Sequence, residues 1–476
     1  MSRMSASTPK LTLSDDRLFP AEPRTRKVAR RLYASVSALP IISPHGHVPP
    51  QWLADDTPFT DPTSLLLTPD HYINRLLHAN GVDLDHLGVG EGPLSDDAAR
   101  AAFRTFCAHW PVFAGTAMSY WMREQLVGIF GVTVRPSAAS ADAIYDTIAA
   151  QLAEPAFRPR ALLKSFGIGF LATTDDPCDD LAVHDRIGRQ ASIATRVAPT
   201  FRPDRYLEPA RPDWAELTRA LGDAAGVDTS TLAGFTEAME IRRRYFKDHG
   251  AVSTDHSHAD LGTLFLDPAE GERLYALAQR GEASADECTT LRRHLFTDQA
   301  RMACEDGLTM TAHPAVARNH DPEAFGRFGA DVGADIPTGV EATRALAPLL
   351  GRFGNHPNFT LVLFTIDETV FSRELGPLAG WYRAVHVGVP WWFLDAPDAI
   401  LRFKSAVTEM AGFSRLSGMI DDTRAFFSIP ARHDMSRRLD ATHLARLVAE
   451  HRLDEDEALE IAHRLVVDQP TKVFHL

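Results

Sequence analysis

Cysteine, net positive charge and long hydrophobic runs are all scarce or missing in this chain. Its 476 residues include four cysteines, and no two of them stand in C-x-x-C spacing. So few cysteines cannot brace a chain of this length with disulfides, which favours a reducing, cytoplasmic location. No apolar run approaches the roughly 20 residues of a membrane-spanning helix. Acidic residues at Asp15, Asp16 and Glu22, without an apolar segment, argue against a secretory or transit peptide.

Basic residues are outnumbered by acidic ones, 49 lysines and arginines against 63 aspartates and glutamates, which gives a net charge of −14. Such a surface does not attract the phosphates of nucleic acids or anionic membranes, so neither is expected as a partner. An anionic small-molecule substrate would therefore need local arginines in its site.

A His-x-His motif, His45-Gly46-His47, follows an apolar run near the start of the chain. Residues i and i+2 at a strand end point the same way, so both imidazoles can bind one cation. A second apolar run, 416–420, is followed by Asp421 and Asp422. Only one of these neighbours can face the same cavity, and we choose Asp422 as the third ligand. By itself a His-x-His motif is more often a pair of turn or surface histidines, so the late aspartate strengthens the prediction.

Short apolar segments recur along the chain, with helical patterns between them. Brief continuous apolar runs are typical of buried parallel strands, and this alternation predicts a (β/α)8 barrel. Helical spacing dominates after the first strand, so we expect a distorted α/β TIM barrel with a helical insertion there. The predicted strands cover about 39–44, 167–173, 195–201, 250–254, 307–312, 359–365, 384–390 and 415–420. The predicted segments are an N-terminal helical extension (1–40), the first barrel strand with the metal motif (41–49), the helical insertion (50–155), the remainder of the barrel (156–435) and a C-terminal helical segment (436–476).

Polar residues fall where the predicted strands end, which is where catalytic groups gather in this fold. They would all face one cavity. They are His45, His47, Thr174 to Asp176, Arg202 to Asp204, Asp255 to His258, His313, Trp391, Trp392, Asp422 and Arg424.

These motifs, in this order, resemble the uronate isomerase (glucuronate isomerase) family of the amidohydrolase superfamily over roughly residues 30–440. The resemblance implies interconversion of D-glucuronate with D-fructuronate, and of D-galacturonate with D-tagaturonate. It also implies one divalent metal ion, usually zinc, held by His45, His47 and Asp422. The matching stretches are His45-Gly46-His47, Asp70-His71-Tyr72 with Arg75, Thr173 to Pro177 with Asp179 to Leu181, Arg202-Pro203-Asp204, Asp255-His256, Arg318-Asn319, Trp391-Trp392-Phe393 with Asp395, and Asp422-Thr423-Arg424.

The chain departs from the family pattern at several positions. Ser43 stands where an aspartate commonly precedes the His-x-His motif. Arg123 and Gln125 replace the histidine and a glutamate of an aromatic helix. Ile73-Asn74 replaces a Lys-Trp pair. These departures mark a divergent member and bear more on the substrate than on the fold.

Aldose to ketose isomerisation moves a proton from C2 to C1 through a cis-enediolate, and charge develops on the two oxygens. Asp422 is predicted to be the proton acceptor. Arg424 would neutralise the charge, and Tyr72 would carry the hydroxyl proton. The substrate carboxylate calls for a bidentate partner, for which we choose Arg202, assisted by His71.

The remaining predicted substrate-binding residues are two histidines and two tryptophans. His256 and His313 are expected to bind hydroxyl groups, although His313 could instead be a fourth metal ligand. Trp391 and Trp392 would stack on the sugar or pack at its rim.

Alternatives remain open at this stage. Arg202 and Asp204 could form a structural turn with an internal ion pair, and His258 is predicted not to bind metal. The chain could also be a metal-dependent hydrolase, such as a lactonase or deaminase, or a catalytically inactive sugar-acid binder. No lysine follows predicted strand four, which argues against a binuclear centre. The preferred uronate, the native metal and whether the chain forms a homo-oligomer are left undecided.

Overall fold

The computed structural model describes residues 9–476. Nine short strands lie in it, and seven of them run parallel around a common centre. Most of their residues are buried; Leu361, Val362 and Leu363 are all fully buried. Strands covered on both faces read as continuous apolar runs, which is why the sequence pattern located them. The strands are β1 (Ile41–Ser43), β2 (Ile168–Ala172), β3 (Arg196–Ala198), β4 (Ser253–His256), β5 (Thr309–Ala312), β6 (Val316–Ala317), β7 (Ile336–Pro337), β8 (Leu361–Leu363) and β9 (Val385–Val387).

The parallel strands form two arcs, β1-β2-β3 and β4-β5-β8-β9. Phe201 joins the arcs through bridges to Asp175 and Thr254. Strands β6 and β7 pair only with each other, in an antiparallel ribbon outside the ring. The prediction of a distorted α/β barrel is therefore confirmed.

The eighth barrel position is the most distorted part of the ring. A regular strand over 415–420 was predicted wrongly, because Leu416 makes a single bridge to Val387 within the described residues. Gly418 has a φ of +83°, which breaks the extended backbone. The ring closes further along, where the His47 backbone N–H donates to the Thr423 carbonyl at 3.0 Å. This contact places the two predicted metal-binding segments side by side.

Helices surround the ring, and the chain between β1 and β2 is helical over α2 to α8. The predicted helical insertion after the first strand is thereby confirmed. The helices are α1 (Pro23–Val36), α2 (Pro50–Asp55), α3 (Pro62–Leu66), α4 (His71–Ala79), α5 (Asp96–Ala108), α6 (Ala117–Arg123), α7 (Ala141–Leu152), α8 (Pro159–Ser165), α9 (Ala182–Gly188), α10 (Trp214–Ala225), α11 (Leu232–Asp248), α12 (Pro268–Gln279), α13 (Ala285–Asp306), α14 (Pro322–Phe328), α15 (Ala347–Phe353), α16 (Gly376–Trp381), α17 (Pro397–Ala411), α18 (Ile429–Ala449), α19 (Glu455–His463) and α20 (Gln469–Val473).

The division of the chain into five segments stays a prediction. Residues 1–8 of the predicted N-terminal extension lie outside the described residues. Helix α18 runs without a break through the predicted boundary at residue 435. Over residues 9–476, the helices are all too short or too polar to cross a bilayer.

Candidate active site

A cavity of about 360 Å³ opens at the end of the barrel where the parallel strands terminate. Several of its lining side chains come from loops that follow β1, β3 and β9 and from the segment that closes the ring. The cavity thus lies where a barrel of this kind holds its chemistry. It is lined by His47, Pro69, Asp70, His71, Tyr72, Arg202, Arg318, Asp331, Asp335, Trp391, Trp392, Asp422, Thr423, Arg424, Ala425 and Arg432.

Three of the predicted metal-site residues meet at one carboxylate oxygen. The Nε2 atoms of His45 and His47 lie 3.3 Å and 3.0 Å from Asp422 Oδ1. His313 approaches from the end of β5, with its Nε2 4.0 Å from Asp422 Oδ2. His45, His313 and Asp422 form a group whose ligand atoms lie close enough to share a metal ion.

The donor atoms at this point fit a divalent cation. Ligand atoms bound at about 2.1 Å to one ion lie roughly 3.0 to 3.4 Å apart, which matches the separations around Asp422. The buried His313 Nε2 has no hydrogen-bond partner among the described residues. A buried polar atom without a partner is costly, and a metal ion near Asp422 would supply one. This position favours His313 as a metal ligand over His313 as a group that binds a substrate hydroxyl.

Asp422 is held in an uncommon backbone conformation. Its φ of +41° lies in the left-handed region, which costs a residue with a side chain about 1 kcal/mol or more. Burial alone would raise the pKa of the Asp422 carboxyl, but His45 and His47 hold this pKa well below its usual range. Asp422 therefore carries a full negative charge at the point where the imidazoles converge.

Asp255, near the end of β4, orients His313 and also lies beside His45. Its Oδ1 accepts a hydrogen bond from His313 Nδ1 at 2.7 Å, and its Oδ2 lies 3.8 Å from His45 Nε2. A carboxylate bonded to Nδ1 fixes the tautomer that leaves Nε2 free for a metal. Burial opposes the charged form of Asp255, yet His45 and Arg202 hold its pKa well below its usual range.

Arg202 is shared between two carboxylates. Its Nε donates to Asp204 at 2.9 Å, and one of its terminal nitrogens lies 3.4 Å from Asp255. Arg202 also lines the cavity. The Arg202–Asp204 ion pair, which the structural-turn alternative predicts, is therefore present. The guanidinium of Arg202 nevertheless remains within reach of the cavity.

Asp70 begins helix α4 and thereby positions two predicted site residues. Its carboxylate accepts hydrogen bonds from the backbone N–H groups of Tyr72 and Ile73, as an N-cap does. His71 and Tyr72, in the first turn, face the cavity. The indole ring of Trp392 packs edge-on against both, at centroid distances of 5.3 Å and 4.6 Å.

Two arginines at the cavity mouth pair with acids of one loop. Arg424 donates to Asp331 at 3.2 Å, and Arg318 donates to Asp335 at 3.1 Å. Both side chains are 37% exposed, so they can reorient towards a substrate. Trp391 also lines the cavity. Its ring lies 5.0 Å from that of His313, so Trp391 stands between this mouth and the metal group.

The structure does not bring His256 to the cavity. Because β4 alternates its side chains, Asp255 points to the centre and His256 to the opposite side, where its ring packs 5.5 Å from Phe296. The predicted contact between His256 and a substrate hydroxyl therefore lacks support from its position.

His256, His258 and Asp204 form a second group with metal-like spacing. However, the Asp204 carboxylate already accepts from Arg202, and His258 Nδ1 lies 2.7 Å from Glu208. An arginine beside the carboxylate opposes the entry of a cation. The absence of a metal-binding role for His258 stays a prediction.

With this geometry established, the chain can be compared with known proteins. The family model described as glucuronate isomerase matches residues 23–474. The chain belongs to the glucuronate isomerase family. The resemblance inferred from the scattered motifs is thereby confirmed.

Curated and solved relatives cover nearly the whole length of this family member. A uronate isomerase from Cutibacterium acnes is 64% identical over 470 residues, which span 99% of this chain and 100% of the relative. The crystal structure of glucuronate isomerase from Caulobacter crescentus matches with a TM-score of 0.95 and 42% identity, covering 98% of each chain. The crystal structure of uronate isomerase from Thermotoga maritima matches with a TM-score of 0.91 and 26% identity over 97% of this chain and 99% of the other.

Some residues of the site were not assigned a role from the sequence. Asp255 and Arg318 stand inside the motifs that carry the family resemblance, so a signal for them existed. Asp331 and Arg432 stand in no such motif. Their place in the site depends on loop and helix packing, which local sequence patterns do not encode.

Proposed function

We propose that this chain is a uronate isomerase that interconverts D-glucuronate with D-fructuronate, and D-galacturonate with D-tagaturonate. The observation that carries the proposal is the convergence of His45 and His47 on Asp422 in a cavity that also holds Tyr72 and Arg424. This set provides a proton acceptor, a cation and a phenol around one small-molecule site, as aldose to ketose isomerisation requires.

The metal site is assigned to His45, His47 and Asp422, with His313 as a fourth ligand. Three histidines and one carboxylate suit zinc, which we propose as the native ion. When bound, the ion would act as a Lewis acid towards the substrate oxygens at C1 and C2.

The residues around the substrate divide the proton transfers between them. The Asp422 carboxylate takes the C2 proton and returns it to C1. The Arg424 guanidinium leaves Asp331 and faces the charge that develops on the enediolate. Tyr72 moves the hydroxyl proton. Trp391 and Trp392 close the sugar faces and exclude water, and His71 adds a hydrogen bond to the carboxylate end.

The proposed function is tested by incubating the purified protein with each uronate and measuring the ketose formed. We expect both ketoses, and close to one equivalent of metal in the protein. A panel of lactones and amines tests the hydrolase alternative, which the family membership does not favour. Release of acid or ammonia from that panel, without any ketose from the uronates, would contradict the proposal.

Replacing Arg202 by alanine is expected to lower kcat/KM on both uronates. Loss of a charge-assisted, bidentate contact costs about 2 to 4 kcal/mol, which corresponds to roughly 30-fold to nearly 1000-fold. Steady-state kinetics of Arg202→Ala checks the value, and circular dichroism checks the fold.

Arg318→Ala is the matched comparison, because Arg318 is also a cavity arginine; it pairs with Asp335, whereas Arg202 is shared between Asp204 and Asp255. We expect a smaller loss for Arg318→Ala. Near-normal kinetics for Arg202→Ala, with a large loss for Arg318→Ala, would return Arg202 to the structural-turn alternative and move the carboxylate to the cavity mouth.

A further inference from the structure

A buried carboxylate lies directly behind Tyr72. Asp395 follows β9 and is 5% exposed. The Tyr72 hydroxyl donates to Asp395 Oδ2 at 2.5 Å, and Arg432 donates to the same oxygen at 2.7 Å. Tyr72 and Arg432 line the cavity, whereas Asp395 is not among its lining residues over 9–476. Asp395 is therefore connected to the substrate space through these two side chains.

The neighbours of Asp395 hold it in place. The Arg432 guanidinium stacks 3.7 Å from the centre of the Trp121 ring, and its Nε donates to Ser428 at 2.9 Å. Asp395 Oδ1 is buried and has no hydrogen-bond partner among the described residues. A well-packed carboxylate with one unpartnered oxygen is an expensive arrangement, which a functional role would explain.

The charges around Asp395 keep the phenol and the carboxylate in defined states. The groups that face this carboxylate are Tyr72, Arg432 and Asp70. Burial raises the pKa of Asp395, although Arg432 and the Tyr72 hydroxyl act to lower it. Burial and the adjacent carboxylate raise the pKa of Tyr72 well above its usual value. Tyr72 is thus a neutral phenol that donates to Asp395 while its oxygen can accept a proton from the cavity.

We propose that Asp395 is the proton reservoir for Tyr72, an inference that rests on the isomerase function proposed above. As the substrate O2–H bond breaks, its proton passes to the Tyr72 oxygen, and the original phenol proton passes to Asp395 Oδ2. The steps then reverse: Asp395 returns its proton to Tyr72, and Tyr72 protonates O1. No proton is gained or lost over the cycle. Asp395 acts through Tyr72 and is a positioning residue, because it does not touch the substrate.

In the proposed relay O2 loses its proton before O1 receives one, so this proton must be held in the interval. During that interval Asp422 is occupied with the carbon-bound proton. A phenol alone would have to hold two protons or become a phenolate, and burial opposes both. Transfer to Asp395 neutralises this carboxylate and leaves negative charge on both enediolate oxygens, which Arg424 faces.

The inference is tested with Asp395→Asn, Tyr72→Phe and the double variant. The asparagine amide oxygen can still accept from Tyr72 but cannot take a proton. We expect kcat to fall by about 100-fold in each single variant, with KM changed less than about threefold, because general acid–base groups contribute at least this much. The double variant should be no slower than the slower single variant, since both changes interrupt one relay. Multiplied losses in the double variant, or a rise in KM at unchanged kcat in Asp395→Asn, would overturn the inference.

Asp440→Asn is the matched control for loss of a buried ion pair. Asp440 is also 5% exposed and is paired with Lys404, away from the cavity. Asp440→Asn should lower the thermal stability as much as Asp395→Asn does, but its kcat should stay near normal. An equal loss of kcat in Asp440→Asn would assign the effect of Asp395→Asn to the scaffold and overturn the inference.

A measurement on the unaltered protein keeps the inference testable if Asp395→Asn does not fold. The value of kcat is measured in mixtures of H2O and D2O. A plot of kcat against the deuterium fraction should be curved, because two protons move together along Tyr72 and Asp395. A straight-line dependence would mean that one proton moves and would overturn the relay. Absence of any ketose from the unaltered protein would instead contradict the proposed function itself.

Discussion

Replacing Asp422 by asparagine is expected to abolish turnover of both uronates, with a fall in kcat of at least about 10⁴-fold. Asparagine keeps the shape of the side chain but removes the proton acceptor. It also removes the negative charge on which the Nε2 atoms of His45 and His47 converge, at 3.3 Å and 3.0 Å. Metal content should therefore fall as well, which elemental analysis of the purified variant checks.

Two further variants separate the roles of this aspartate. His45→Ala should also lower metal content sharply, because it removes one ligand from the same group. Asp421→Asn is the matched control: Asp421 is buried beside Asp422 but pairs with His433 at 3.0 Å, outside the cavity lining. It should keep its metal and most of its turnover. Unchanged metal content in both Asp422→Asn and His45→Ala would contradict the assignment of the metal site to these residues.

Replacing Arg424 by methionine is expected to lower kcat by about 10³-fold while leaving the metal bound. Arg424 lines the cavity near Asp422, so its guanidinium can face charge that develops on the enediolate. Removal of one group that stabilises transition-state charge costs about this much. The effect should lie in kcat rather than KM, because the charge appears during the reaction.

Arg280→Met serves as the control. Arg280 pairs with Glu282 at the surface and has no role in the proposed site. It should change neither kcat nor metal content. Loss of metal from Arg424→Met would show that Arg424 supports the ligand set. A KM effect without a kcat effect would assign it to substrate binding.

The sequence predicted the barrel well because most strand residues are buried. Such strands appear as brief apolar runs, and seven of the eight predicted positions overlap a parallel strand. The eighth failed for a local reason, the positive φ of Gly418. The same irregular segment then places Asp422 in the left-handed region beside His47, so the distortion and the proposed site belong together.

Side-chain placement was predictable where a residue follows directly from strand alternation. His45 and His47 are such residues, whereas Asp422 reaches them from an irregular segment with a positive φ. His256 was misplaced because only one of two neighbours at a strand end can face the centre, and Asp255 takes that position. Residues such as Arg432 reach the cavity from a distant helix through tertiary packing, which local sequence spacing does not encode.

Turnover of D-glucuronate in D2O, with the ketose product analysed by NMR or mass spectrometry, tests the central claim most directly. An isomerase that uses Asp422 as a base carries the C2 hydrogen on a group that exchanges with solvent. The account therefore predicts deuterium at C1 of the ketose. A ketose formed without any deuterium at C1 would indicate a direct hydride shift and would contradict the account.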